Sequence, residues 1–520
     1  MRQDEEMIRG TVQTVVYQNP ENGYAVLRLH TEDGQQITVV GTVPMTVPGE
    51  RLIVTGKWGY HASHGRQFEA EFLERLMPET GNEIFAYLAS GAVKGIGEKT
   101  AEKILRLFGE RALEVLENDP EQLSQIPGIS RRKAMEIGES FRRQAGIRRL
   151  IEFLTLHRLP PELAVRLFRV YGDLAEDALR DDPYLLSDPY FGADFAAVDA
   201  FALELDVEAD DERRVEAGIL FELSYNLTNG HTFIPQNKLI PATAALLNLD
   251  SETIESGMER LDEQQRMVRS EVAGLTACYL PEFYEAECEV TERLVRMADL
   301  RLQPPARLET MLRSIEAKRA IDYAACQMQA IRDAASCQLL LVTGGPGTGK
   351  TTVMTGILDL FDAMGLKTQL AAPTGRAAKR LSEVTGREAT TIHRLLEAQF
   401  DPDSGAMAFV HDEDEPLKCD AMIIDETSMV DLQLMTSLLK ALRPQCRLIL
   451  VGDPDQLPSV GAGNVFSDII RSGVAKTVCL TEIFRQARES LIVMNAHAVN
   501  HGELPVLTVK NKDFFFMKRR

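Results

Sequence analysis

The stretch GGPGTGKTT, residues 344–352, lies between an apolar run, LLLVT, and a run with helical spacing, VMTGILDLF. It fits Gly-x-x-x-x-Gly-Lys-Thr in the strand–loop–helix context that this motif requires. Its glycines let backbone N–H groups surround a phosphate, its lysine reaches the β- and γ-phosphate oxygens, and its threonine hydroxyl binds Mg²⁺. The motif therefore predicts a loop for ATP and Mg²⁺ in an α/β domain. Its binding residues are Gly344, Gly345, Pro346, Gly347, Thr348, Gly349, Lys350, Thr351 and Thr352, with Thr351 also on the metal.

Further residues complete this nucleotide site. The apolar run AMII ends at Asp425 and Glu426, and adjacent side chains at a strand end point in different directions. Asp425 is expected to hold Mg²⁺ and Glu426 to orient the attacking water. Gln456 follows the next apolar run, where a neutral amide can sense the γ-phosphate. Gln327 is placed to read the adenine edge, with an ordinary surface glutamine as the alternative. Together these residues predict a nucleotide hydrolase.

Length and composition set wider limits. A chain of 520 residues exceeds what one core supports, so we expect three or more domains. The net charge of −21 argues against a protein that coats nucleic acid over its whole surface, but a local basic groove needs only a few cations. The sequence has neither a run of ~18 apolar residues nor an apolar signal stretch, which predicts a cytoplasmic protein without membrane contact. Its seven cysteines form no CxxC pair and are expected to be reduced.

Residues 7–76, within a first domain predicted at 1–78, alternate in the period of β-strands. Five candidate strands are IRGTVQTVVY, YAVLRLH, QQITVVGTV, ERLIVTGKW and RQFEAEFLE. Turn signals separate them at Asn22-Gly23, Asp33-Gly34, Pro48-Gly49 and His64-Gly65. The pattern predicts a small closed barrel of the OB type, with another small β-module as the alternative.

Residues 79–204 have helical periodicity and an internal repeat offset by 63 residues, which relates Gly109 to Gly172 and Asp119 to Asp182. The stretches VKGIGEKTAEKI (93–104) and PGISRRKA (127–134) have the form of helix-hairpin-helix turns. The cations nearby are Lys94, Lys99, Arg131, Arg132 and Lys133. Free backbone N–H groups in such turns can dock a DNA phosphate. The alternative is that these glycines only cap helices. The candidate DNA contacts are Gly95, Gly97, Lys99 and Gly128.

The rest of the chain is predicted in three parts. Residues 205–305 form a helical linker domain without a chemical motif. Residues 306–479 form the nucleotide-binding lobe, with a short hairpin inserted near 400–417 or an ordinary surface loop there. Residues 480–520 begin a second lobe.

Several stretches together resemble the motifs of superfamily 1 DNA helicases of the RecD-like branch (1B). They are GGPGTGKTT, APTGRAAKRL (372–381), TIHRLL (391–396), DETSM, GDPDQLPSV and LTEIFRQ (480–486). The barrel, the tandem helix-hairpin-helix region and YLPEFYEAECEV (279–290) are similar to the long, stand-alone form of these helicases. The resemblance implies a multidomain fold: an OB-like barrel, an all-α helix-hairpin-helix region, a RecA-like P-loop lobe and only the start of a second lobe.

The resemblance also implies a function. Such helicases move 5′→3′ along single-stranded DNA in repair or recombination in the bacterial cytosol, unwind duplex at junctions and need no obligate oligomer. The direction rests on the resemblance alone. In this family Phe409, near the end of the inserted hairpin, would help to split the duplex. Thr374, Gly375, Arg376, Thr391 and His393 match DNA-path residues, and Arg485 matches the arginine that reaches the γ-phosphate.

The family's later motifs have no counterpart after Arg485. We therefore expect an N-terminal part of a longer helicase that binds ATP and DNA but does not unwind. Two other interpretations stay open: a DNA-binding scaffold switched by nucleotide, and an RNA helicase of the same superfamily. A nuclease is not expected, because no further carboxylate cluster has the spacing of a metal site.

Overall fold

The computed structural model describes residues 6–19, 24–31, 33–43, 46, 48–61, 65–76, 80–89, 93, 95–400, 407–482, 489–507, 513–514 and 516. The chain forms two compact units, Met1–Ala217 and Gly218–Arg520. The division falls inside a helix and not at the predicted boundary of 204/205. No helix within the described ranges is long and apolar enough to cross a membrane.

The first unit begins with a closed five-stranded barrel in the order β1-β2-β3-β5-β4. All its strand pairs are antiparallel except β3 with β5. Leu27, Leu52 and Phe68 are fully buried in its core, so the predicted OB-type barrel is confirmed. Gly34 and Gly49 have positive φ in their turns, whereas Asn22-Gly23 and His64 lie outside the described residues. The strands are β1 (Glu6–Gln18), β2 (Tyr24–Thr31), β3 (Gln36–Thr42), β4 (Arg51–His61) and β5 (Gly65–Leu76).

The rest of the first unit is helical, and the predicted repeat is visible in its backbone. Gly109 ends one helix with φ 58° and ψ −135°, and Gly172 ends its counterpart with φ 58° and ψ −134°. Short 3₁₀ turns follow each glycine and each Asp-Pro pair. The helices are α1 (Gly81–Ala89), α2 (Glu98–Phe108), α3 (Ala112–Asn118), α4 (Arg131–Leu156), α5 (Leu163–Tyr171), α6 (Ala175–Asp181) and α7 (Phe195–Glu204).

The segment predicted to be a helical linker also contains a small antiparallel sheet that the sequence analysis missed. Its hairpin turns at Ala273 and Gly274, which both have positive φ, the conformation of a tight two-residue turn. The sheet has the order β6-β8-β7. The elements are α8 (Glu212–Thr228), β6 (Phe233–Pro235), α9 (Gln236–Leu247), α10 (Ser251–Glu263), β7 (Val268–Val272), β8 (Leu275–Tyr279) and α11 (Pro281–Asp299).

The second unit is organised by a six-stranded parallel sheet in the order β11-β10-β14-β15-β9-β16. Strands β9, β14 and β15 are buried along their whole length, as a sheet covered on both faces requires. The strands are β9 (Leu339–Thr343), β10 (Thr368–Ala372), β11 (Ala389–Thr391), β12 (Ala398–Phe400), β13 (Met407–Phe409), β14 (Ala421–Ile424), β15 (Arg447–Gly452) and β16 (Lys476–Cys479). The helices are α12 (Leu308–Arg319), α13 (Ala325–Ala334), α14 (Lys350–Ala363), α15 (Gly375–Thr385), α16 (Ile392–Leu395), α17 (Leu432–Lys440), α18 (Val465–Ser472) and α19 (Leu491–Asn500).

Helix α11 packs into this sheet, which changes the predicted division of the chain. Val290 and Leu294 of α11 share a buried cluster with Leu341 of β9 and Leu438 of α17. The linker was predicted to end at 305, but α11 contributes its apolar face to the core of the nucleotide-binding lobe.

The predicted insertion contains an antiparallel hairpin formed by β12 and β13. Residues 401–406 between them lie outside the described residues. Phe409 pairs with Ala398 at the base of the hairpin, and its ring centroid lies 6.0 Å from that of His393. Phe409 is thus the last residue of β13 and is half-buried against the core.

Candidate functional site

Three segments with chemical motifs leave the sheet at one edge. The loop 344–349 follows β9, Asp425 and Glu426 follow β14, and Gln456 follows β15. These strands are neighbours and parallel, with Gly452 opposite Thr343 and β14 beside β15. The carboxyl edge of a parallel sheet is where such folds bind ligands.

The phosphate loop is held in shape by its own side chains. The Lys350 ammonium donates hydrogen bonds to the carbonyl oxygens of Gly344 (2.5 Å) and Gly345 (3.2 Å). The Thr348 hydroxyl donates to the Gly345 carbonyl at 2.8 Å. Gly347 and Gly349 adopt φ of 76° and 83°, a region that glycine enters without steric cost. The loop therefore has the backbone that a phosphate cradle needs.

Close packing also limits which residues can occupy the loop. A Cβ on Gly344 would lie 2.6 Å from the Thr348 hydroxyl and 2.8 Å from the Leu480 carbonyl oxygen. Thr351 and Thr352 follow in the first turn of α14 and are half-buried. The first turn of a helix after a glycine-rich loop carries unpaired N–H groups and partial positive charge.

The adjacent acids form a second part of the site. Burial and the neighbouring charge of Glu426 raise the pKa of Asp425 to about 6, although the charges of Lys350 and Arg380 oppose the shift. The Asp425 carboxylate accepts a hydrogen bond from the Glu426 N–H at 2.9 Å. Glu426 has φ 52° and ψ 42°, a left-handed conformation that is uncommon for a residue other than glycine.

Two buried polar atoms at this edge have no hydrogen-bond partner among the described residues: Glu426 Oε2 and Ser428 Oγ. Buried polar groups are almost always paired, so these atoms fit a site that binds water or a polar ligand. No cluster of three or more His, Cys, Asp or Glu side chains within the described ranges could hold a metal. Mg²⁺ usually takes one or two protein ligands plus phosphate oxygens, and Asp425 with Thr351 fits that pattern.

Gln327 is placed differently from a surface glutamine. Its side chain is buried at the start of α13, with 2% exposure. Its Oε1 accepts a hydrogen bond from the Ala324 N–H at 3.2 Å. Its Nε2 has no partner among the described residues. Gln327 thus caps α13 through one atom and leaves a donor for something else.

Gln456 is exposed on a loop that is fixed at both ends. At its start, the buried Asp453 carboxylate accepts from the Asp455 N–H at 3.1 Å. At its end, the Gly463 N–H donates to the Gly230 carbonyl at 3.0 Å, which ties it to the segment before β6. The loop therefore presents its amide from a rigid base.

The residues matched to a DNA path also come together. Thr374 follows β10, and Thr391 is the last residue of the neighbouring strand β11. Thr391 lies opposite Ala372, the last residue of β10. Each hydroxyl accepts a backbone N–H bond at 3.2 Å and so caps a helix. Gly375 and Arg376 are exposed at the start of α15, and His393 is half-buried beside Phe409.

The helix-hairpin-helix glycines lie at two neighbouring exposed turns. Gly95 and Gly128 have φ of 93° and 100°, and Gly97 is the N-cap of α2, with Lys99 exposed in its first turn. The Lys103 ammonium on α2 donates to the Pro127 carbonyl at 3.2 Å. The second turn therefore contacts the helix that follows the first turn. Two predicted cations are already paired on the surface, Arg131 with Glu121 and Arg132 with Glu136.

Not every predicted residue can be located, and two residues were missed. Arg485 and Lys94 lie outside the described residues. Arg380 and His497 were not predicted: the charge of Arg380 lowers the pKa of Asp425, and His497 Nε2 lies 3.0 Å from the Pro346 carbonyl oxygen. Arg380 stands within the quoted APTGRAAKRL motif, and His497 within NAHAVNHG, where two histidines near a glycine were the available signal.

Four family models match the chain along its length. "ATP-dependent DNA helicase YrrC, OB-fold domain" matches residues 5–78, and "SAM-like Helix-hairpin-helix tandem" matches 85–143. "ATP-dependent RecD2 DNA helicase HHH domain" matches 143–233, and "AAA domain" matches 327–462. The third match extends past the predicted end of the helix-hairpin-helix region at 204.

Comparisons with individual proteins differ in how much of this chain they cover. The RecBCD enzyme subunit RecD of Mycolicibacterium smegmatis is 40% identical over 200 residues, which are 34% of this chain and 35% of that protein. The solved Pif1 helicase from Candida albicans covers 36% of this chain and 45% of its own, at 22% identity and a TM-score of 0.26. The ATP-dependent RecD2 DNA helicase of Deinococcus radiodurans is 32% identical over 515 residues, 96% of this chain and 70% of that protein. Because that match runs from the barrel through the nucleotide-binding sheet, the chain belongs to the RecD2 family of ATP-dependent DNA helicases.

Proposed function

We propose that this chain couples hydrolysis of Mg²⁺-bound ATP to 5′→3′ movement on single-stranded DNA. The observation that carries the proposal is the convergence of the Lys350 loop with Asp425 and Glu426 at one sheet edge, where Lys350 is close enough to influence the pKa of Asp425. Lys350 and the loop N–H groups would hold the phosphates, and Thr351 and Asp425 would hold Mg²⁺.

The other residues have separate roles in this proposal. Glu426 orients the attacking water, Gln456 senses the γ-phosphate from its fixed loop, and Arg485 stabilises transition-state charge. Gln327 reads the adenine edge through its unpartnered Nε2. Mg²⁺ would supply charge neutralisation at the β- and γ-phosphate oxygens.

DNA would be bound at two places, one in each compact unit. In the second unit, Thr374, Gly375, Arg376, Thr391 and His393 line the strand path at the β10–β11 end of the sheet. In the first unit, the paired turns at Gly95–Lys99 and Gly128 grip phosphates through backbone N–H groups. A few such contacts suffice for a chain with a net charge of −21.

The experiment measures ATP hydrolysis against the length of single-stranded DNA. A translocating motor turns over faster on longer strands, because each binding event supports more steps. Lys350→Ala should abolish turnover. Duplexes with only a 5′ or only a 3′ single-stranded tail test direction, since stimulation of turnover should require the 5′ tail. Robust strand separation on the 5′-tailed duplex would contradict the expectation that this chain does not unwind.

Three results would contradict the proposal, the last of them in its direction only. Nucleotide-dependent DNA affinity without turnover would indicate a switched DNA-binding scaffold. Equal stimulation by RNA and DNA of the same length would indicate that the substrate class is wrong. A preference for the 3′ tail would leave the motor intact but reverse its direction.

A further inference from the structure

The segment 489–507 is braced internally and lies on the phosphate loop. The Ser490 hydroxyl caps α19 by accepting the Val493 N–H at 3.2 Å. The buried Asn495 side chain pairs in both directions with the Val506 backbone, donating to its carbonyl at 3.1 Å and accepting from its N–H at 2.8 Å. These bonds fix α19 in a position that directs His497 to the loop.

His497 touches the loop at two consecutive residues. Its Nε2 lies 3.0 Å from the Pro346 carbonyl oxygen, and because a carbonyl only accepts, Nε2 carries the hydrogen. A Cβ on Gly345 would lie 2.7 Å from His497 Cε1. The imidazole therefore fills the space above Gly345 and donates to the next residue.

This hydrogen bond has a consequence for the following peptide. A trans peptide is planar, so its C=O and N–H point in opposite directions. When His497 fixes the Pro346 carbonyl on its own side, the Gly347 N–H must point away from the imidazole. Pro346 has no N–H, which makes Gly347 the first donor after Gly345.

Lys350 cannot fix the orientation of the loop peptides once phosphate is bound. Its ammonium now holds the carbonyls of Gly344 and Gly345, but it must leave them to reach phosphate oxygens. Gly347 has φ 76°, and a glycine peptide without restraint rotates freely. His497 holds a different carbonyl and need not move.

We propose that His497 is a positioning residue of the nucleotide site: it fixes the Pro346–Gly347 peptide so that the Gly347 N–H faces the bound phosphate. This inference rests on the proposed function, since it assumes that loop 344–349 binds a nucleotide. On this inference, the segment 489–507 contributes to nucleotide affinity, although it lies outside the loop motif.

The test compares two substitutions at His497 in the full chain, with fluorescent N-methylanthraniloyl-ADP and Mg²⁺ as the probe. His497→Leu keeps bulk but cannot donate, and it should raise the Kd of the probe about threefold to tenfold, as loss of one hydrogen bond does. His497→Gln can donate through its amide and should stay within about twofold of the wild type. Where turnover is measurable, KM for ATP should rise while kcat changes little.

A double-substitution cycle tests the same contact from the other side. Gly345→Ala places a methyl group against the imidazole and should weaken probe binding about as much as His497→Leu. In a His497→Ala background the space is empty, so Gly345→Ala should add less than about twofold. Such non-additivity is expected only for residues in contact. Val499→Ala, at an exposed position of the same helix, is the matched control and should leave the Kd unchanged.

The outcomes separate this inference from the proposed function. If the wild type binds the probe no better than Lys350→Ala, the proposed nucleotide site is wrong. If Lys350→Ala abolishes binding but His497→Leu binds as tightly as the wild type, only the role of His497 is wrong. Equal weakening by His497→Leu and His497→Gln would show that the ring acts by packing and not by its hydrogen bond. Additive effects in the cycle would show that His497 and Gly345 influence binding independently, which would overturn the role assigned to their contact. Circular dichroism of each variant confirms that α19 and the sheet remain folded.

Discussion

Arg148 and Glu50 form a buried ion pair that joins helix α4 to the barrel within the first unit. Arg148 Nη2 lies 2.5 Å from Glu50 Oε1, and the two residues are 8% and 6% exposed. The guanidinium also lies 5.2 Å from the centre of the Tyr87 ring. Arg148→Met keeps the length of the side chain but removes the cation that lies 2.5 Å from the buried Glu50 carboxylate. Removal of one partner of a buried pair costs about 3–5 kcal/mol.

The chain has one tryptophan, Trp58, which makes the measurement selective. Trp58 lies in β4, and its ring packs edge-on against Phe68 at 5.2 Å. Its fluorescence in a urea titration therefore reports barrel unfolding. With an m-value of about 1–3 kcal/mol/M for a small domain, the expected loss lowers the urea midpoint by roughly 1–5 M.

A surface pair on the same helix is the control. Arg132 lies 3.0 Å from Glu136, with side chains 90% and 61% exposed, and exposed pairs of this kind contribute about 0.3–0.5 kcal/mol. Arg132→Met should thus barely move the midpoint. If Arg148→Met shifts the Trp58 transition no further than Arg132→Met does, the buried pair does not join α4 to the barrel as argued.

Three further predictions concern packing and charge. Leu294→Ala in α11 should lower the free energy of unfolding of the second unit by about 2–5 kcal/mol, because it opens a cavity in the core. Val295→Ala, at the exposed neighbouring position, should cost far less, and thermal unfolding of both variants measures the difference. Gly138→Ala would place a Cβ 2.3 Å from the Pro120 side chain and should lower the free energy of unfolding by about 1–3 kcal/mol through overpacking. Thermal unfolding measures this loss, and an unchanged Tm would contradict the prediction. Burial would raise the pKa of Asp359, but hydrogen bonds from two basic side chains of α12 outweigh it and lower that pKa. Asp359 therefore stabilises the fold above the ordinary carboxyl pKa of about 3.9, and this contribution is lost as pH falls through its lower folded value. Asp359→Asn should accordingly flatten the acid limb of Tm against pH between about 5 and 3, and an unchanged limb would contradict the prediction.

The sequence predicted those parts whose determinants are local. The barrel followed from two-residue alternation and glycine turns, and the strand–loop–helix context of GGPGTGKTT sufficed for the sheet and its phosphate loop. The small sheet β6-β8-β7 was missed because each strand has only three to five residues, too few to show a period. The division at 305 failed for a different reason: the apolar face of α11 indicates burial, but nothing in its own residues indicates which core it enters.

The nucleotide site shows even more clearly that distant contacts cannot be predicted from local sequence. Two side chains, Lys350 and His497, donate hydrogen bonds to three consecutive carbonyl groups of the phosphate loop. Lys350 binds the carbonyl oxygens of Gly344 and Gly345 and lies only a few residues further along the chain. A motif of fixed spacing can therefore include it. His497 holds Pro346 from 151 residues away, a separation set by the whole sheet and by β16, so no fixed spacing can describe it. A loop with the same nine letters in another chain would retain its lysine and lack this histidine, and its Gly347 peptide would turn freely. Nucleotide affinity at such a loop is thus partly a property of whichever distant segment lies on it.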